Sequence, residues 1–228
     1  MLRLSIVIPT LDAASTLGPV LAALEETASA ALAHELIVVD GGSKDGTRAL
    51  ARAARAEVLA SAPSRGGQLA LGGAGACGEW LLFLHADTRL APGWTGAVAR
   101  FIADPANRER AAVFRLALDD ASAAARRVER FVAWRTRVLG LPYGDQALLI
   151  ARAFYDRLGG FKALPLMEDV DLVRRIGKRR LVLLEARAVT SAARYRRGGW
   201  LLRPLRNLAC LTLYYLGLPP RLIERLYA

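Results

Sequence analysis

The sequence predicts an α/β fold built on a mostly parallel central sheet with helices on both faces. Short, near-continuously apolar segments alternate with helix-forming ones through the first half of the chain, as strands buried on both faces require. The 228 residues fit one such domain with a modest appendage. Hydrophobic residues make up 54% and charged residues 23%, with a mean hydropathy of +0.24. That composition excludes a disordered chain.

Leu4–Ile8 reads as a strand that stops at Pro9, and Ser15 can cap a helix running to about Leu32. Glu35–Asp40 is a second strand, ended by Gly41-Gly42. Asp45 or Gly46 opens a helix through Arg55, and Glu57–Ala60 is a weaker third strand. The small residues of Gly66–Gly78 suit a helix packed close to the sheet. Trp80–Leu84 is a fourth strand, ended by His85-Ala86-Asp87. Right-handed crossovers place the ends of such strands on one edge, where ligands bind in open α/β sheets. Asp12, Asp40 and Asp87 all fall at strand ends.

In the second half, Ala111–Leu118 reads as a strand and Ser122–Leu139 as an arginine-bearing helix. Pro142–Gln146 and Leu158–Phe161 are turns, with the apolar run Ala147–Ile150 between them. A helix begins near Met167, with Glu168, Asp169 and Asp171 in its first turn, where acids are favoured. Leu181–Leu184 is a last strand. Neither a repeat nor a linker is visible. The division is therefore residues 1–198 as one domain and 199–228 as an amphipathic helical extension.

The chain carries 32 basic and 21 acidic residues, a net charge of +11, and every basic residue except Lys44, Lys162 and Lys178 is arginine. Arginine forks onto phosphates and carboxylates, so an anionic partner is one reading; an arginine-rich codon bias is the other. Two cysteines, Cys77 and Cys210, and two histidines, His34 and His85, make neither a disulfide framework nor a multi-histidine metal centre. No secretory signal is read, and a cytoplasmic location is expected. The tail mixes leucines with arginines. It can lie on an anionic membrane at the inner face of the cell, or pack on its own domain or a second subunit. Asn207–Pro220 is too short for a span.

Five strings in order carry a specific resemblance: Ser5-Ile-Val-Ile-Pro-Thr-Leu-Asp12, Val38-Val-Asp-Gly-Gly-Ser-Lys-Asp-Gly-Thr47, His85-Ala86-Asp87, Gly144-Asp145-Gln146 and Glu168-Asp169. Together, from Leu4 to about Arg197, the chain resembles a family-2 glycosyltransferase. The strings His85-Ala-Asp-Thr88, Tyr143-Gly-Asp-Gln146 and Pro165-Leu-Met-Glu-Asp-Val170 further resemble the radical-SAM/selenodomain-associated, or arsenosugar-biosynthesis, subgroup. The family resemblance implies a GT-A nucleotide-binding sandwich, a nucleoside-diphosphate sugar donor with UDP as the default, a divalent cation (Mn²⁺ or Mg²⁺) and inversion at the anomeric carbon.

It also implies roles. Pro9, Thr10, Asp12, Asp40, Gly41, Arg65, Gln68, His85, Ala86 and Asp87 fall on the donor side. Asp12 and Asp40 can accept from a base edge and a ribose hydroxyl, and Gly41 lets the backbone approach the ligand. Asp12 is alternatively a turn or capping aspartate. Arg65 can grip the diphosphate and Gln68 can meet base or ribose; a surface arginine is the plain alternative. Asp87 is a hard-oxygen ligand for the cation. The family's usual Asp-x-Asp begins here with His85, a second candidate ligand that suits Mn²⁺ better than Mg²⁺, or else a hydrogen-bond partner of phosphate or carboxylate. Asp169 is the expected base that takes the proton from the acceptor hydroxyl, with Glu168 the secondary candidate; the plain alternative is a helix start stabilised by acids. Asp145 and Gln146 belong to the acceptor or sugar side. The acceptor is expected to be a small molecule or a lipid, and nucleic acid is not expected as a partner. Two rivals stand beside this reading. A nucleotidyltransferase would carry a Gly-rich basic loop where Pro9–Ala13 stands. A non-catalytic module binding membrane or nucleic acid would gather its basic residues into one stripe.

Overall fold

The computed structural model describes residues 4–25, 34–200 and 202–227. An eight-stranded sheet runs in the order β3-β2-β1-β4-β7-β6-β8-β5. Its strands are β1 Leu4–Thr10, β2 His34–Asp40, β3 Glu57–Ala60, β4 Trp80–Phe83, β5 Thr88–Leu90, β6 Ala111–Leu118, β7 Leu148–Ala151 and β8 Leu181–Thr190. β1 to β4 pair in parallel; β7 is antiparallel to β4 and β6, β8 is parallel to β6, and β5 is antiparallel to β8. The sheet is therefore mostly parallel, as expected, with antiparallel insertions in its second half.

The first-half helices are α1 Ala14–Glu25, α2 Thr47–Ala53, α3 Arg65–Gly75 and α4 Trp94–Ala103. Fully buried β1 residues such as Leu4, Ile6 and Ile8 form the centre of the core with Leu17 of α1 and Trp94 of α4. α3 lies flush on the sheet because it is built of small residues: a Cβ on Gly72 would come within 2.3 Å of Val7 Cγ1. The second half adds α5 Ala123–Leu139, α6 Arg152–Arg157, α7 Glu168–Ile176, α8 Ala193–Gly198, α9 Leu202–Tyr215 and α10 Pro220–Tyr227.

Several expectations need correction. β1 does not stop at Pro9. Thr10 O faces β2, accepting from Gly41 N–H, while Val7 O faces β4, accepting from Leu84 N–H. Pro9 shares the β4-facing side, and β4 has already ended at Phe83, so its missing N–H costs no ladder bond. Ser15 does not cap α1; Asp45 does so from a distant loop, accepting from Ala14 N–H at 3.0 Å. The predicted end of that helix near Leu32 lies outside the described residues. β8 runs on to Thr190 because Glu185 points outward and pairs with Arg115. Sequence reading also missed β5, α4 and α6.

α9 and α10 pack on the start of α7: Cys210, Leu211 and Ile223 meet Met167 and Val170. Leu202, Leu205, Leu208, Leu216 and Leu222 remain exposed. Among the described residues no helix is long and apolar enough to cross a membrane.

Candidate active site

The loops after β1 and β2 interlock. Asp40, 1% exposed, accepts from the Ser43 hydroxyl, from Thr10 Oγ1 at 3.2 Å and from the N–H groups of Gly42 and Ser43 at 3.1 and 2.9 Å. It also pairs with Arg48 Nε at 2.9 Å. Burial works to raise its pKa, but the donors from Ser43, Gly42 and Thr10 outweigh it and hold the carboxyl below its ordinary value. This corrects the expected ribose or base contact: the lone pairs of Asp40 are engaged in shaping the 41–46 loop. Gly41 likewise serves packing, since a Cβ there would lie 3.2 Å from Pro63 Cα and 3.3 Å from Gln68 Nε2. Gln68 donates both amide hydrogens inward, to Thr10 O at 2.8 Å and Val39 O at 2.7 Å. It pins the ends of β1 and β2 together at the floor of the cleft. Asp12 adopts a left-handed φ of 46°, held by Ser43 Oγ on its N–H and by Lys44 N–H on Oδ1.

A cleft opens beside these loops in two joined lobes. The larger is lined by Pro9, Thr10, Asp12, Gln68 and Ala86, with Arg197 of α8. The smaller is lined by Tyr143, Asp145, Glu168 and Asp169, with Asn207 of α9. Arg65, His85, Asp87 and Ser191 line both and mark the junction. The structure thus brings together the residues of β1, the His-Ala-Asp turn and the start of α7, although up to 160 positions separate them in sequence. Asp40 and Gly41 stand behind the cleft wall. The His85 imidazole lies against Gly144, where a Cβ would come within 2.4 Å of Nε2.

The smaller lobe holds an unusual set of carboxyl groups. Met167, just before α7, takes a left-handed φ of 66°, a strain of about 1–3 kcal/mol of the kind that collects at functional sites. It turns Glu168 inward to 1% exposure. Glu168 Oε1 lacks a hydrogen-bond partner and lies 3.5 Å from Arg65 Nη1. Burial first, then the charge of Asp169, pushes its pKa up to about 7 against the pull of Arg65. Asp145 Oδ1 is also sealed without a hydrogen-bond partner. Burial raises that carboxyl to about 6, with Arg135 opposing. Asp169 differs: Gly144 N–H donates to Oδ2 at 2.8 Å and Val170 N–H to Oδ1 at 2.7 Å, so its orientation is fixed. Gln146 does not reach the cleft, contrary to the expected sugar contact. It is fully buried, accepting from Thr136 Oγ1 at 2.9 Å and donating to Phe114 O at 3.0 Å.

Among the described residues no group of three or more His, Cys, Asp or Glu side chains could hold a metal ion by itself. Asp87 and His85 still fit a cation that takes its remaining ligands from substrate phosphate, the usual way Mg²⁺ is held. Sequence reasoning missed Thr190, Ser191 and Asn207 as cleft residues; nothing in their local sequence marks them. Tyr195 and Arg197 also line the cleft.

The model of Glycosyl transferase family 2 matches residues 5–140, more than half of the chain. No curated protein sequence matches it. Among solved structures, S. aureus TarS superposes with a TM-score of 0.64 at 14% identity, over 99% of this chain and 42% of its own. The chain therefore spans less than half of that protein. Glucosyl-3-phosphoglycerate synthase from Mycobacterium tuberculosis, solved with Mn²⁺, UDP and glucosyl-3-phosphoglycerate, gives 0.63 at 18% identity, over 95% and 81%. Mannosyl-3-phosphoglycerate synthase from Rubrobacter xylanophilus gives 0.63 at 18%, over 95% and 75%. The fold these share with the chain is the GT-A sandwich. With five family strings lining or supporting one cleft, the chain belongs to glycosyl transferase family 2.

Proposed function

We propose that the chain moves a sugar from a nucleoside-diphosphate donor, UDP-linked by default, to a hydroxyl of a small-molecule or lipid acceptor, with inversion. The observation that carries this is the two-lobed cleft, which joins the β1 strand end to the carboxylates of α7 through His85, Asp87 and Arg65. The M. tuberculosis neighbour, solved with UDP and Mn²⁺ and also with UDP and Mg²⁺, supports the donor class.

In this reading the larger lobe receives the nucleotide, and Arg65 faces the diphosphate with its two-point fork. Asp87, with His85, would hold a divalent cation that neutralises the diphosphate and stabilises it as leaving group. The acceptor hydroxyl attacks the anomeric carbon on the face opposite the diphosphate, and the sugar–phosphate bond breaks as the new one forms. Asp169 takes the hydroxyl proton, its two oxygens aimed by the Gly144 and Val170 N–H groups. The strings around His85, Tyr143 and Pro165 support membership of the arsenosugar-type subgroup. The exposed leucines of α9, with Arg206 nearby on the same helix, support contact with an anionic membrane at the cytoplasmic face.

A thermal-shift panel of nucleoside diphosphates and their sugars, with and without Mn²⁺ or Mg²⁺, tests the reading. The expected result is a cation-dependent rise with one nucleotide, lost in Asp87→Ala. No rise with any nucleotide, from a protein that remains folded, overturns it.

A further inference from the structure

The two lobes differ in the hydrogen-bonding partners they ask for. In the smaller lobe, Glu168 Oε1 and Asp145 Oδ1 are sealed from solvent without a hydrogen-bond partner, and Glu168 is 1% exposed. Leaving such buried oxygens unsatisfied is unfavourable. Asp169 and Asp87 add further carboxylates to the lining of this lobe, which also includes the apolar surfaces of Tyr143, Leu166 and Met167. Arg65 and His85 are the cationic or basic side chains among the described residues of this lobe. Both stand at the boundary with the larger lobe, and Arg65 is already drawn to Glu168. An ionised phosphate or carboxylate brings acceptor oxygens only, whereas a hydroxyl brings a donor.

We propose that the smaller lobe takes a hydroxyl-donating acceptor that carries no anionic group and lays an apolar segment against Tyr143, Leu166 and Met167. The inference rests on the sugar-transfer reading of the cleft and adds the charge class of its acceptor. Glu168 and Asp145 are then specificity-determining residues: they accept from acceptor or sugar hydroxyls and repel a phosphate or carboxylate in the same place. A like charge held close to a partly buried carboxylate is disfavoured, because the low-dielectric surroundings screen the repulsion poorly.

The test uses two probes with the same apolar aglycone that differ at C6, phenyl β-D-glucoside with its hydroxymethyl donor and phenyl β-D-glucuronide with a carboxylate in its place. Each is titrated calorimetrically at about pH 8, with and without UDP and Mn²⁺. The glucoside is expected to bind at least about tenfold more tightly than the glucuronide. The double variant Asp145→Asn with Glu168→Gln is expected to narrow that ratio to within about threefold. Where the double variant loses its thermal midpoint, Asp145→Asn alone serves. Equal or tighter binding of the glucuronide overturns the proposal, as does a ratio unchanged by the substitutions. Failure of both probes to bind at millimolar concentration overturns it too. Failure of UDP itself to bind counts separately, against the sugar-transfer reading, because the probe ratio is also measured without nucleotide.

Discussion

Replacing Glu168 by glutamine should stabilise the protein at alkaline pH while impairing its chemistry. The carboxyl is 1% exposed, and burial beside Asp169 lifts its pKa from 4.5 to about 7. A carboxylate whose native pKa lies above its unfolded value opposes folding once the unfolded chain has ionised. The native state holds the extra proton between the two values, so stability falls as pH rises through that window. The rise from 4.5 to about 7 corresponds to roughly 3 kcal/mol, fully developed above pH 7. Glutamine keeps the shape and removes the charge. Urea unfolding of both proteins at about pH 5 and about pH 8.5 measures the difference. The variant should gain up to about 3 kcal/mol at the higher pH, or roughly 6–12 °C in Tm, and less than about 1 kcal/mol at the lower. A variant equally or less stable than wild type at both pH values would refute the reasoning, and Glu168 would then be ionised without penalty through contacts such as Arg65.

Three further outcomes follow from the packing. Gly144→Ala places a Cβ 2.4 Å from His85 Nε2, so the imidazole must move; UDP release in the transfer reaction should fall by as much as about 100-fold, and an unchanged rate would contradict the placement of His85. Gly72→Ala drives a methyl to 2.3 Å from Val7 Cγ1 and 2.9 Å from Val39 Cγ2, both stiff side chains. Denaturant unfolding should show a loss of about 1–3 kcal/mol, and no loss would mean that α3 does not seat flush on the sheet. Leu205→Asp with Leu208→Asp changes two exposed side chains; co-sedimentation with phosphatidylglycerol vesicles should drop while Tm holds, and undiminished vesicle binding would remove α9 from any membrane contact.

The parallel half of the sheet was legible because its strands are continuous apolar runs punctuated by Gly and Pro. The short antiparallel β5, only Thr88–Leu90, has no room for a period to declare itself. β8 was read too short because Glu185 and Arg187 interrupt its apolar run, yet alternation lets a strand carry both outward. In the site, Asp87 was visible as an acid at a strand end, whereas Glu168 and Asp169 were singled out by the resemblance their string carries, since acids at a helix start are ordinary. The sequence could not distinguish Asp12, which lines the cleft, from Asp40, which the same logic placed beside it but which four donors and Arg48 tie into the loop. Gln146 was misread for a related reason: an amide within a polar motif says nothing of which way it points, and here it points into the core. Asn207 entered the cleft only through the docking of α9 on α7, a tertiary contact with no local signature.

In the proposed function, one cleft binds the nucleotide at the β1 edge and joins it to the α7 carboxylates through Asp87. Isothermal titration of UDP into wild type and Asp87→Ala, with and without Mn²⁺, tests this most directly. Binding to wild type should strengthen with Mn²⁺, and an Asp87→Ala protein of unchanged fold should lose the Mn²⁺ enhancement. UDP that binds wild type and Asp87→Ala alike, or binds neither, would contradict it.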